Sequence, residues 1–195
     1  MSIYTIERGR AEKRAAVAAW LHGLDLVQPE TRERLITAWT TAWTSSTHAA
    51  IEDFPYSPMA PDFRLAQHVN EVTRTGLALA QRAEAEWGEK VDPEIFVPIL
   101  ILHDVDKPLL YVRQGGKVEY TPLYRELPHG VAGAMLVREL GFPDPVVATV
   151  ATHASNAPFH GSTLEAYLLH YADFFATDRA LMRAGTEPFY QKHWR

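Results

Sequence analysis

The chain has 195 residues, 47% of them hydrophobic, with a formal net charge of -5 and no cysteine. Its length and apolar content suffice for one compact domain with an appended segment, while the missing cysteine excludes disulfides, cysteine nucleophiles, thiolate zinc sites and iron–sulfur clusters. Charges of both signs are interspersed without the strong basic face that a nucleic-acid polymer requires, so the expected partner is a small, anionic molecule.

The first residues, Met1 to Arg8, lack a basic-then-apolar signal pattern, and no apolar run approaches the ~20 residues that span a bilayer. A cytoplasmic protein without a membrane partner is expected. Two amphipathic helices are predicted, over 11–24 and 29–44, the second opening on Pro29 at a first helical position. Within it Leu35, Trp39 and Trp43 recur at helical spacing, which suits packing onto the main body or, as the alternative, a homodimer interface. Pro55, Pro58 and Pro61 then bar any helix, so residues 53–61 read as a joint. This gives a helical extension over 1–60, a main domain over 61–185 and a tail over 186–195.

A helix is predicted from Asp62 to about Trp87, with His68 between Leu65 and Val72 on its inward face. Asp92-Pro93 restarts a helix whose apolar run Ile99 to Leu102 ends abruptly in His103-Asp104, with Asp106 and Lys107 close behind. Residues 110–120 alternate around Gly115-Gly116 and predict a hairpin. Three helices follow. His129 to Leu140 stops at Gly141-Phe142-Pro143, Pro145 to His153 is short, and Ser162-Thr163-Leu164-Glu165 has the capping-box form of a helix running to Ala184. The expected architecture is all-α with one hairpin insertion.

His129 shares a face with Ala132, Gly133 and Leu136, His153 with Val146, Thr149 and Val150, and Asp173 with Ala166, Leu169 and Thr177. Singly, each inward histidine reads as a hydrogen-bonded core residue and the aspartate as an exposed one. Together they would cost on the order of several kcal/mol apiece to bury unless they share a charge partner. A divalent cation is such a partner. Imidazole and carboxylate donors suit zinc, iron, manganese, nickel or magnesium and do not choose among them.

The order His68, His103-Asp104, His129, His153, Asp173 resembles the HD-domain superfamily of metal-dependent phosphohydrolases over about 61–185. The segment Ile101-Leu102-His103-Asp104-Val105-Asp106-Lys107-Pro108 is similar to its apolar-His-Asp-x-Gly-Lys-Pro signature. His129-Gly130-Val131-Ala132-Gly133-Ala134 resembles its helix that opens on histidine and small residues, and Leu168-Leu169-His170-Tyr171-Ala172-Asp173 resembles its closing motif. The resemblance implies an HD-domain helical bundle in which His68, His103, Asp104 and Asp173 hold one ion. His129 and His153 would hold a second, with Asp104 bridging. Two divalent ions are thereby implied, iron first, with manganese, nickel, cobalt, zinc and magnesium as alternatives. Such a pair generates hydroxide near neutral pH and clamps the attacking and leaving oxygens of a phosphate ester.

Asp106 stands where the signature has glycine. Either the turn differs, or this carboxylate orients a ligand histidine or shuttles a proton. Asp104, Asp106 and Lys107 are the expected catalytic residues, and Lys107, Arg125, Asn156 and His160 the expected substrate contacts. His22, His48, His170 and His193 match no motif and receive no role. The leading reading is a hydrolase of a small phosphate ester or nucleotide. A mixed-valent di-iron oxygenase that cleaves a C–C or C–P bond with dioxygen would use the same ligand set, and a non-catalytic signalling module is a third reading.

Overall fold

The structure is a computed structural model that describes residues 3–157 and 159–192; His193 and the end of the 186–195 tail lie outside them. Helices α1 (Ala11–Trp20) and α2 (Pro29–Ser45) lead into a hairpin of β1 (Pro55–Ser57) and β2 (Ala60–Arg64). The long α3 (Leu65–Trp87) and the core helix α4 (Pro93–Leu102) follow, then a short α5 (Lys107–Leu110). A second hairpin, β3 (Tyr111–Gln114) with β4 (Lys117–Tyr120), precedes α6 (Pro122–Glu126). The chain continues through α7 (Val131–Glu139), α8 (Asp144–Thr152), α9 (Leu164–Arg183) and the single turn α10 (Phe189–Lys192). This is the helical architecture expected, with one more hairpin than the sequence suggested.

Local chemistry explains most boundaries. Pro29 and Pro93 sit in first turns, where the missing N–H costs nothing. The Asp92 carboxylate accepts from the Glu94 N–H at the start of α4. Gly115 and Gly116 both have positive φ, 55° and 80°, the backbone of a two-residue hairpin turn.

Four boundaries differ from expectation. Helix α1 ends at Trp20 rather than at 24, the chain turning through Gly23 at φ 89° into a separate single turn, Leu24–Leu26. Residues 62–64 belong to β2, not to α3, because β1 pairs with them antiparallel, Pro55 opposite Arg64, while Ala60 and Phe63 turn into the core. Ser162 does not cap α9; Thr163 does, its hydroxyl accepting from the Ala166 N–H at 3.2 Å. His129 lies ahead of α7 rather than on its first turn, because Gly130, at φ 92°, caps the helix in a left-handed conformation.

Helix α4 is the centre of the fold. From Phe96 to Leu102 every residue is buried, so the helix is apolar all round, as a core helix must be. It packs against α2, α3, α8 and α9. The aromatic stripe of α2 closes one side: Trp39 is fully buried, sets its ring edge-on to Trp20 at 4.6 Å and donates its indole N–H to the Ile101 carbonyl at 3.1 Å. Residues of the first two helices thus share one continuous core with the bundle. Among the described residues, no helix is long and apolar enough to cross a membrane.

Candidate metal centre

Five segments converge beside the end of α4. His68 comes from the second turn of α3, His103 and Asp104 directly follow α4, His129 precedes α7, His153 directly follows α8 and Asp173 lies in the middle of α9. The two histidines that terminate helices are set in the same way. Each points Nδ1 at the free carbonyl three residues earlier, His103 at Leu100 and His153 at Val150, both at 2.8 Å. A carbonyl only accepts, so Nδ1 carries the proton and Nε2 offers its lone pair inward.

The inward nitrogens divide over the two oxygens of one carboxylate. Asp104 Oδ2 lies 3.2 Å from His68 Nε2 and 3.4 Å from His103 Nε2. Its Oδ1 lies 3.0 Å from His129 Nε2 and 3.6 Å from His153 Nε2. The two pairs are themselves close, His68 to His103 at 3.2 Å and His129 to His153 at 3.2 Å between Nε2 atoms. Asp173 Oδ1 reaches His68 Nε2 at 3.1 Å. In the ion-free protein protons on His103 and His129 meet the Asp104 carboxylate across such contacts; once those protons are removed, lone pairs at this range would repel one another and the carboxylate. Around an octahedral ion with bonds of ~2.1 Å, however, adjacent ligands stand about 3.0 Å apart.

A second observation supports the same fit. Asp104 is 1% exposed, and its Oδ2 accepts no hydrogen bond. Lys107 Nζ lies 2.7 Å away as a charge neighbour, outside hydrogen-bonding geometry. The ion pair with Lys107 offsets part of the burial cost, and the remaining lone pairs of this oxygen are free to meet a further cation. The groups His68, His103, Asp104 and Asp104, His129, His153 could each hold a divalent ion.

The electrostatics prepare the cluster for cations. Burial raises the Asp104 carboxyl, but Lys107 and His103 together outweigh it and hold the group well below the usual carboxylate range. Asp173 is lowered as well, against burial, by the His68 hydrogen bond and the charge of His103. Burial lowers His153, and neighbouring imidazoles add to the effect. His103 and His129 go the other way: against burial, the charge of Asp104 raises His103, and the charges of Asp106 and Asp104 lift His129 to about 9.

Asp106 sits behind His129. Its Oδ1 accepts from His129 Nδ1 at 2.9 Å, while its Oδ2 accepts the Gly130 N–H at 2.7 Å and, more loosely, the Gly133 N–H at 3.4 Å. Of the readings open from the sequence, this geometry is that of a carboxylate orienting a histidine. Lys107 is buried, with Nζ 4.0 Å over the Tyr56 ring. Asn156 lines the cavity of about 250 Å³ above the cluster. Arg125 is exposed on α6 and is not among the residues lining that cavity, and His160 lines a neighbouring one of about 330 Å³ with His170.

Several lining residues had no signal in the sequence. Tyr56, Ser57 and Met59 come from the first hairpin, Phe174 from α9 and Phe189 from α10. The Tyr56 hydroxyl is 2.6 Å from Thr177 Oγ1, which donates to Asp173 Oδ1 at 3.1 Å. Thr177 could have been found, being one helical turn beyond Asp173; Tyr56 is 121 positions away from its partner and could not.

Residues 65–178 match the HD domain family, and all six converging side chains fall within them. The dihydroneopterin 2′,3′-cyclic phosphate phosphodiesterase of Methanocaldococcus jannaschii is 30% identical over 111 residues, which are 56% of this chain and 44% of that protein. The match thus spans less than half the length of that relative. No solved structure matches the chain significantly.

Proposed function

Since this chain belongs to the HD domain family, we propose that it is a divalent-metal-dependent phosphohydrolase of small phosphate esters, with phosphodiesters first among them. The archaeal relative is a phosphodiesterase, which supports the diester. The observation that carries the reading is the division of Asp104, whose two oxygens face separate histidine pairs.

In this reading His68, His103, Asp104 and Asp173 hold one ion, His129 and His153 hold the second, and Asp104 is common to both. A pair of ions there would supply an activated water and a clamp for the phosphate oxygens. The chain's own residues do the positioning. Asp106 fixes the His129 ring through Nδ1, and the Tyr56–Thr177 pair holds the Asp173 carboxylate. Lys107 is pinned between Asp104 and the Tyr56 ring, where its charge meets a phosphate oxygen arriving at the cluster. No side-chain nucleophile is required.

The test is turnover. Protein stripped with a chelator and reloaded with iron, manganese, cobalt or nickel is expected to release alcohol from phosphate diesters or monoesters, equally with and without dioxygen. Absence of turnover on any phosphate compound would sink the hydrolase, and activity that disappears without dioxygen would move the same ligands to oxygenase chemistry.

A further inference from the structure

A homodimer needs a surface that can face itself, and the stripe that the sequence offered for one, Leu35, Trp39 and Trp43 on α2, is buried in the core. A second stripe lies open. On α9, Tyr167, Tyr171 and Phe175 recur every fourth residue, Met182 follows two turns on, and each is about half exposed or more. Trp87, the last residue of α3, extends the stripe. Its ring is 6.4 Å from Tyr167, which in turn lies 4.9 Å from Tyr171.

Five large apolar side chains left half outside amount to roughly 500 Å² on one side of the molecule, near the upper end of what monomers expose. Across two copies that is on the order of 1,000 Å², the size at which specific interfaces begin. The chemistry of the stripe points to a copy of itself. From Ala166 to Thr177 the sole lysine, arginine or acid of α9 is Asp173, which is turned inward to His68. A two-fold contact sets the same patch against itself, so a chain of net charge -5 can make one only through a face without charge. A lipid surface fits less well, because anionic headgroups are held by lysine and arginine, and this stretch of α9 has neither.

The spacing is symmetric about Tyr171, with one aromatic ring a turn before it and another a turn after. Two antiparallel copies of α9 that cross at Tyr171 therefore set Tyr167 of each against Phe175 of the other. Residues four apart form the ridge that most often packs between the ridges of a second helix. The cleft of about 330 Å³ opens along the same face, between the end of α8 and the first half of α9, with Tyr167 and Tyr171 among its walls. It has room for one aromatic side chain, and in the antiparallel arrangement Phe175 of the second copy is the ring that reaches it. His153 lines both this cleft and the cavity above the cluster, which joins the contact to the site.

We propose that the protein is a two-fold symmetric homodimer in which α9 packs antiparallel on α9 of a second copy, the axis passing near Tyr171 and each Phe175 entering the cleft of the other copy. Helix α9 then serves two purposes, turning Asp173 to the cluster and its aromatic ridge to the second copy. The dimer requires nothing of the phosphohydrolase reading.

Sedimentation velocity of the full chain, from micromolar concentration upward, is expected to give twice the mass of one chain. Tyr171→Glu sets two like charges together at the axis, and Phe175→Glu puts one in each cleft. Each should weaken the dimer at least tenfold with the circular dichroism spectrum unchanged, whereas Met135→Glu, at an exposed position on α7, should leave it as it is. The chain has no cysteine, so Tyr171→Cys supplies a single thiol per copy; a short bismaleimide should join two copies through it and not through Met135→Cys. A monomer at every concentration would overturn the proposal, as would a dimer indifferent to both α9 substitutions. A monomer whose Tyr171→Cys thiol resists maleimide would mean that the chain covers its own stripe, and one that binds phosphatidylcholine vesicles through Phe175 would give the stripe to lipid; either result also overturns the dimer.

Discussion

At the scale of single residues, Asp104 is the side chain on which the cluster depends. Asp104→Ala is expected to remove both ions at once, whereas His129→Ala should spare the first; elemental analysis of the purified variants decides this. Asp106 acts through a neighbour. Its removal frees the His129 ring and orphans the Gly130 N–H, so Asp106→Ala should weaken binding of the second ion by roughly 10–100-fold and cost on the order of 1–3 kcal/mol of stability. Titration calorimetry separates the first effect and thermal unfolding the second.

His129 also gives the pH dependence its sign. In the ion-free protein its imidazole is raised from 6.5 to about 9, so at pH 7.5 it carries a proton that an ion must displace. Binding of the second ion should release about one proton, and its affinity should rise with pH up to about 9. Calorimetry in two buffers of different ionisation enthalpy measures that proton. The same shift contributes stability to the ion-free protein that is complete below pH 6.5 and lost as pH rises through 9.

At the scale of elements, helix ends carry the site. An imidazole placed just past the last turn of α4 or α8 finds an unsatisfied carbonyl at hand, and this fixes both its tautomer and its direction. Between α7 and α8 the chain has no room for a side chain at Gly130, where a Cβ would stand 2.6 Å from the Val150 carbonyl oxygen and φ is 92°. Gly130→Ala should therefore destabilise the fold by about 2 kcal/mol or more and displace His129, seen as a lower melting temperature together with a lost second ion. The opening motif His129-Gly130 was legible, but its glycine reads as a small helical residue when it is in fact the left-handed turn that ends the loop before α7.

At the scale of the whole molecule, the region matching the family shares one core with the residues that precede it. Trp39 and Phe54 precede it, are both fully buried, and lie with their rings 6.5 Å apart. Trp39 bonds to the carbonyl of Ile101, two residues from His103. Cutting the chain to 65–178 would expose the buried surface of α4, so that fragment is expected to lack a cooperative unfolding transition and to bind no ion stoichiometrically. Circular dichroism of the fragment against the full chain checks this. Trp39→Ala in the full chain should cost about 3–5 kcal/mol.

The six converging side chains, the helical class and the β3–β4 hairpin were readable because each depends on spacing along a few residues: apolar periodicity, a His-Asp pair after an aliphatic run, two adjacent glycines. Prolines at first turns and glycine stops placed several helix ends within a residue or two, those of α2, α4 and α7 among them. The first hairpin was not readable, because strand pairing between residues 55–57 and 60–64 is decided by which side chains α3 and α9 leave room to bury. The aromatic wall was equally hidden: Tyr56, Tyr124 and Phe189 meet one cavity across more than a hundred positions of chain. Local sequence therefore determined which groups could bind an ion. Only the tertiary structure decided that Asp104 divides its two oxygens between histidine pairs, that Asp106 stands behind His129, and which rings line the cavity, since these depend on distances between elements that no local pattern encodes.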